Sequence, residues 1–178
     1  MIKFSSVVLL VIGLSSIYNY SFGQAMRRGS LGLEVGFPTG KGSENTGTGF
    51  GGSFRYESAF RNSDNASWLF SVGYISFPAT LNIPGLNVSG SASIIPITLG
   101  VKYYPDGSFN GFYFGGEMGL AAISAKLTIP GFGSTSASEN KFMFAPSVGY
   151  HFAGFDLTLR YNAITDGNFF GIRGAFTF

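Results

Sequence analysis

GIRGAFTF, residues 171–178, alternates to its last residue. Ile172, Phe176 and Phe178 fall on one face of an extended chain, with Phe170 just before them. Gly171, Arg173, Ala175 and Thr177 fall on the other. The end of a soluble domain is usually polar and frayed. This one reads as a strand in use to its last residue. In a closed sheet the last strand pairs with the first, so no tail has to be spared.

The rest of the chain fits that reading. Aromatic residues are 17% of the 178 and charged residues only 11%, against about 25% in ordinary soluble domains. Glycine is abundant at 27 residues. Beyond the N-terminus there is no apolar run of the roughly 18 residues a membrane-spanning helix needs. A chain this apolar without such a run is expected where lipid-facing residues are dispersed at every second position of β-strands.

Eight segments carry that alternation. Their apolar faces begin with Leu31, Phe50, Trp68, Ile95, Phe112, Phe142, Leu157 and Phe170. The opposite faces are mostly Gly, Ser, Thr and Ala. Every charge within the segments lies there: Glu34, Arg55, Glu57, Lys102, Glu117, Arg160 and Arg173. Small residues with a few charges of both signs suit the crowded interior of a small barrel. The aromatic face then meets lipid, and Trp68, Tyr56, Tyr74, Tyr103, Tyr150 and Tyr161 are its interfacial girdle candidates. The expected fold is all-β, an eight-stranded antiparallel up-and-down transmembrane β-barrel. A soluble lipocalin-like barrel would have the opposite faces inward, and this Gly- and Ser-rich face with few charges makes a poor aqueous surface.

Connections alternate in length. Short links are expected at 61–67, 105–110, 153–155 and 164–168, and longer ones at 38–49, 77–93 and 125–141. Short turns at one end and longer loops at the other are the periplasmic and extracellular pattern of an outer-membrane barrel. LNIPG (81–85) and LTIPG (127–131) form a weak repeat, each followed by Ser-Ala-Ser. The two segments are expected to protrude as hairpins turning near Pro-Gly. Pro96 and Pro146 fall inside strands, where β-bulges or positions above the bilayer are expected.

Residues 1–23 read as a secretory signal. Lys3 precedes the apolar Val7–Ile12 core, and Ser21 and Gly23 are small residues before a cut at Gln24. Residues 24–178 are then the barrel domain, delivered to the outer membrane of a Gram-negative bacterium. The whole chain carries a formal charge of +2, too little to argue for nucleic acid.

On these features the mature chain resembles the small eight-stranded outer-membrane proteins of the OmpX and OmpA-barrel type, with a Bacteroidetes-like signal end at SFGQ. LGLEVGFP at the first strand, the barrel pattern and the final aromatic carry the resemblance. It implies that Phe176 and Phe178 are the C-terminal signal for the barrel-insertion machinery. Arg173 stands where the family pattern favours Gly. Outer-membrane lipid and that machinery are the implied partners.

No chemistry-bearing constellation stands out. Glu34 is expected to meet Arg173, with Arg55 nearby, and Lys102, Glu117 and Arg160 to form a second group. These charges serve either a filter or ligand site, or a network neutralising buried charge. His151 is the one histidine and no cysteine is present, so neither a triad nor a metal site can be assembled, and no cofactor is expected. GTGFGG (47–52) lacks the Lys-Ser/Thr and helix of a phosphate loop. A non-enzymatic structural or surface-interaction role is expected, with a narrow channel or small-solute or lipid carrier as the alternative. An enzyme acting on envelope lipid or peptide is a third reading. The surface candidates are Leu81, Ile83, Leu86 and Val88 in one hairpin, and Leu127, Ile129 and Phe132 in the other, facing an extracellular ligand or surface partner.

Overall fold

The computed structural model describes residues 26–40, 43–83, 86–129, 133–165 and 167–178; the side chains of 80–83, 86–89 and 128–129 are outside that description. The signal segment also lies outside the described residues. Eight strands run β1 Arg27–Pro38, β2 Gly49–Ala59, β3 Ala66–Ile83, β4 Leu86–Tyr103, β5 Gly111–Ile129, β6 Gly133–Phe152, β7 Phe155–Ile164 and β8 Phe169–Thr177. Each pairs antiparallel with the next, and β8 closes onto β1 through Leu31↔Phe176 and Glu34↔Arg173. Phe178 is held as well, exchanging both backbone hydrogen bonds with Gly29 at 2.8 and 2.9 Å.

Closure fixes the shape. From Arg28, lateral neighbours run through Glu57, Leu69, Gly100, Glu117 and Ala145 to Asn162, Phe169 and Pro38. The step from Ala145 to Asn162 keeps the β6–β7 register across a gap in that ladder. One circuit thus advances ten residues along β1, from Arg28 to Pro38. With about 3.3 Å per residue and about 4.8 Å between strands, this stagger tilts the strands by about 40° and gives a backbone radius of about 8 Å. Side chains fill so narrow a tube.

The two faces divide as the alternation demands. Leu33, Leu99, Met118, Leu120 and Phe142 are more than half exposed on the outer wall. Among the described residues, exposed charges lie only at the rims and beyond them: Arg27, Arg61, Asp64 and Asp106 at the rim carrying the termini, Glu44, Lys126 and Glu139 at the far side. Trp68 packs on Tyr56 near the terminal rim, where Tyr103 and Tyr150 also lie; Tyr161 pairs with Phe170 toward the far rim. Aromatics outside and charges inside exclude the lipocalin-like arrangement.

One expectation is borne out with a difference and one is corrected. Segments 77–93 and 125–141 form the two expected hairpins, but they are strand for nearly their whole length rather than long loops. Ile83↔Leu86 and Ile129↔Gly133 close the two hairpins, and β4 and β5 stay paired out to Ser89↔Thr128. The hairpins are therefore fused into one four-stranded wing. Its strands run on because apolar and hydroxyl residues keep alternating through them, whereas the Ser, Gly and Pro content imitates a loop. No β-bulge forms at either proline. The β3–β4 ladder lapses between Val72↔Ile97 and Ile75↔Ile94, and the β6–β7 ladder between Phe144↔Ala163 and Ser147↔Arg160; each resumes in the same register. A missing N–H interrupts pairing locally, and the flanking ladder holds the register.

Close approach of neighbouring strands needs glycine at two places. A Cβ on Gly51 would stand 1.9 Å from the Tyr74 carbonyl oxygen, and one on Gly119 2.1 Å from that of Ile97. Gly51→Val and Gly119→Val are each expected to prevent closure. The boil-dependent SDS gel shift of the closed barrel would then be absent in both variants, while Gly174→Val, at an open position on the outer wall, retains it.

Candidate functional site

The lumen is layered. Nearest the far rim, Ile75, Phe77, Ile94, Ala121, Met143, Ala145, Ile164 and Phe169 form an apolar cluster, with the Phe77 and Phe169 rings edge-on at 5.3 Å. Below it lies the first charged layer. Glu34 accepts from Arg160 at 2.5 Å and from Ser53 at 2.6 Å, and Arg173 stands 3.8 Å away. Glu117 accepts from Arg55 and from Thr98, both at 2.7 Å, with Arg160 at 3.7 Å.

A second charged layer lies toward the terminal rim. Lys102 donates to Asp156 at 2.7 Å and to Glu57 at 3.2 Å, with its ammonium 4.0 Å from the centre of the Tyr113 ring. Arg28 pairs with Glu57 at 3.0 Å. Arg173 joins the layers, 3.6 Å from Asp156. At the base Arg28 meets the Tyr104 hydroxyl, the Phe109 carbonyl and His151; His151 also contacts Asn110 at 2.9 Å and Thr177 at 3.1 Å. Tyr104 donates to Glu57 at 2.9 Å, and burial lifts its hydroxyl above the ordinary phenol range.

The structure thus brings Glu34, Arg55, Glu57, Lys102, Glu117, Arg160 and Arg173 into one connected network, in which the expected Glu34–Arg173 and Glu117–Arg160 contacts form but Arg55 and Lys102 do not join the groups expected for them. Arg55 belongs with Glu117, and Lys102 with Glu57 and Asp156. Glu34 is lateral to Arg173, yet its short contact is to Arg160 on β7. Arg55–Glu117 and Lys102–Asp156 cross the lumen and Arg160–Glu34 reaches over β8, because the tilt lifts most lateral neighbours out of one layer; Arg28–Glu57 alone of these tight pairs joins lateral neighbours. Sequence reading missed Arg28, Asp156 and Tyr104. The first two share parity with Glu34 and Arg160 but stand just before the segments where alternation was recognised.

Four cations, Arg55, Lys102, Arg160 and Arg173, oppose four anions, Glu34, Glu57, Glu117 and Asp156, and all eight are nearly inaccessible to solvent. Arg28, at the base, is 11% exposed. Such an arrangement neutralises itself and packs the tube. Among the described residues no group of three His, Cys, Asp or Glu side chains could hold a metal. Phe176 and Phe178 are half exposed on the outer wall. Leu127 is half-buried in the wing. Leu81, Ile83, Leu86, Val88 and Ile129 lie on wing strands with side chains outside the description, and Phe132 lies outside the described residues.

The wing supplies a second surface. Ser76, Ser93, Ser124 and Ser138 are lateral neighbours across its four strands, with the Ser124 and Ser138 hydroxyls 3.0 Å apart. Their parity is that of the outer wall. The opposite face continues the lumen through Ala92, Ala125 and Ala137. A short loop guards the β3 edge, where the Gly47 N–H bonds the Pro78 carbonyl at 2.8 Å and Thr46 bridges to Ala79.

Neither a scan of protein-family models nor a search of curated proteins finds a match. Solved structures do match in fold. Ail, the attachment invasion locus protein of Yersinia pestis, is similar with a TM-score of 0.62 at 16% identity, over 87% of this chain and 99% of Ail. Ail in complex with the heparin analogue sucrose octasulfate matches at TM-score 0.61 and 16% identity, over 85% and 97%. The N-terminal β-barrel domain of Pseudomonas aeruginosa OprF matches at TM-score 0.56 and 14% identity, over 87% and 100%. This chain therefore shares the fold of small eight-stranded outer-membrane barrels.

Breaking one ion pair in the lumen should cost more than removing both charges. Arg160→Met leaves Glu34 buried without its short contact and is expected to destabilise the barrel by about 3–5 kcal/mol. Adding Glu34→Gln should recover part of that loss. Urea midpoints in lipid vesicles measure both.

Proposed function

We propose that this chain is an outer-membrane protein of a Gram-negative bacterium, of the OmpX and OmpA-barrel type. Residues 1–23 direct export and are removed, and residues 24–178 insert. Phe176 and Phe178 are read by the insertion machinery. The far rim is the extracellular side, and the wing is the working surface, in a structural or surface-interaction role. No catalytic residue is assigned.

One observation carries this reading: a continuous four-stranded sheet leaves a barrel whose own lumen is filled. β3 continues past its last pairing with β2, at Ser76, to Ile83. That is about 23 Å of strand at about 3.3 Å per residue. A sheet this long has no part in closing the tube. Its serine face offers regularly spaced hydroxyls, and among the described residues the β6 edge over 133–142 pairs only with β5. A strand edge and a hydroxyl array both suit recognition by hydrogen bonds. The heparin analogue bound to Ail supports a glycan as one class of extracellular ligand.

The test keeps the barrel and removes the wing. Replacing 78–91 and 126–136 with short turns rejoins strands at the facing pairs Phe77↔Ala92 and Ala125↔Ala137. Cells carrying the full chain are expected to be retained on heparin-coated or dextran-coated surfaces, and cells with the shortened chain to be released from both. Equal retention, or none with the full chain, would remove the wing as a glycan-binding surface. Planar-bilayer recordings of the full chain are expected to show no steady conductance; steady channels would favour the narrow-channel reading.

A further inference from the structure

At the far rim the lumen opens as a cavity of about 240 Å³. Phe77, Ile94 and Phe169 line it and belong to the apolar layer that closes the tube beneath; Ala92 and Ile123 pack against that layer. The inner face of the wing continues upward from the cavity in the same parity, through Ala125 and Ala137.

Hydroxyl and amide side chains at Thr39, Ser43, Thr46, Thr165 and Asn168 complete the lining above the apolar floor. Glu139 and Lys141 are ion-paired at 3.3 Å. Thr39 and Asn168 line the cavity too, joined by a 2.8 Å bond from the Thr39 N–H to the Asn168 carbonyl. The Thr39 hydroxyl is buried and has no hydrogen-bond partner among the described residues. A buried hydroxyl ordinarily has one, and leaving it unpaired is costly.

We propose that this cavity binds a single-chain amphiphile with an uncharged polar head, its apolar body against Phe77, Ile94 and Phe169 and its head at Thr39. Size, charge and chemistry each support that class. A cavity of about 150 Å³ holds benzene, so about 240 Å³ suits roughly ten heavy atoms. Glu139 and Lys141 offset each other, so the lining favours neither an anion nor a cation. The head supplies the bond the Thr39 hydroxyl lacks. The site is independent of the wing's serine face and stands whether or not that face has a partner.

The probe is 1-octanol, added to the full barrel in lipid nanodiscs, with contacts read as intermolecular NOEs. Saturable NOEs to Phe77, Ile94 and Phe169 are expected. Leu33 and Leu99, on the outer wall, report octanol dissolved in the bilayer and serve as the internal control. Ile94→Trp fills the cavity and should abolish the first set while keeping the second. Thr39→Val should weaken octanol about five-fold, the effect of one lost hydrogen bond, and leave octane unchanged. NOEs confined to Leu33 and Leu99 would overturn the proposal, as would octanol affinity unchanged by Thr39→Val. Should Ile94→Trp not close into a barrel, the Thr39→Val comparison decides alone.

Discussion

Closure of β8 onto β1 with a ten-residue stagger is the constraint from which the other features follow. It leaves the barrel body with no free edge, so backbone groups in the wall find partners without water, as a lipid-facing wall requires. It also sets the radius. At about 8 Å the tube has room for side chains and little else. That is why the inward face is so rich in Gly, Ser, Thr and Ala: each large inward residue needs small neighbours. Gly149 illustrates the limit, since a Cβ there would stand 2.4 Å from the Tyr113 ring.

Within so narrow a tube, charge must be balanced locally. Glu34, Glu117, Arg55 and Arg160 sit where each carboxylate has a guanidinium within 2.7 Å. The Arg55–Glu117 contact crosses the lumen from β2 to β5, and Arg160–Glu34 ties β7 to β1 over β8. Removing one partner strands the other in a medium that cannot solvate it, so the layer acts as a unit. The apolar cluster above it seals the tube by a different means, packing Phe77 against Phe169. A filled lumen leaves the rim and the wing as the surfaces available for recognition.

The wing reuses the wall's alternation with different residues. Below Ser76 the outward positions are Tyr, Val and Phe; from Ser76 upward Ser76, Ser93, Ser124 and Ser138 form a row of hydroxyls. On β4 and β5 the inward positions remain apolar across the same boundary, from Ile94 to Ala92 and from Ile123 to Ala125, while β6 turns Lys141 and Glu139 inward. On β4 and β5 the sheet near the rim is thus apolar toward the barrel axis and polar away from it, the reverse of the wall beneath.

Strand number, antiparallel order and the inside-out division of residues were legible in the sequence. They depend on a local period of two, and the aromatic face from Leu31 to Phe178 keeps that period almost without error. Parity also sent each recognised charge to the lumen. It could not say which charges would meet. Glu34 is lateral to Arg173 but makes its short contact with Arg160, because stagger, a property of all eight registers together, decides what shares a layer. The same holds for the wing: Pro-Gly marks two turns, but only pairing between β4 and β5 fuses two hairpins into one sheet. The Thr39 hydroxyl, unpaired among the described residues, carries no sequence signal, since its surroundings come from both ends of the chain and from the middle. Local alternation fixed the wall of this protein, and the closed register decided what that wall encloses.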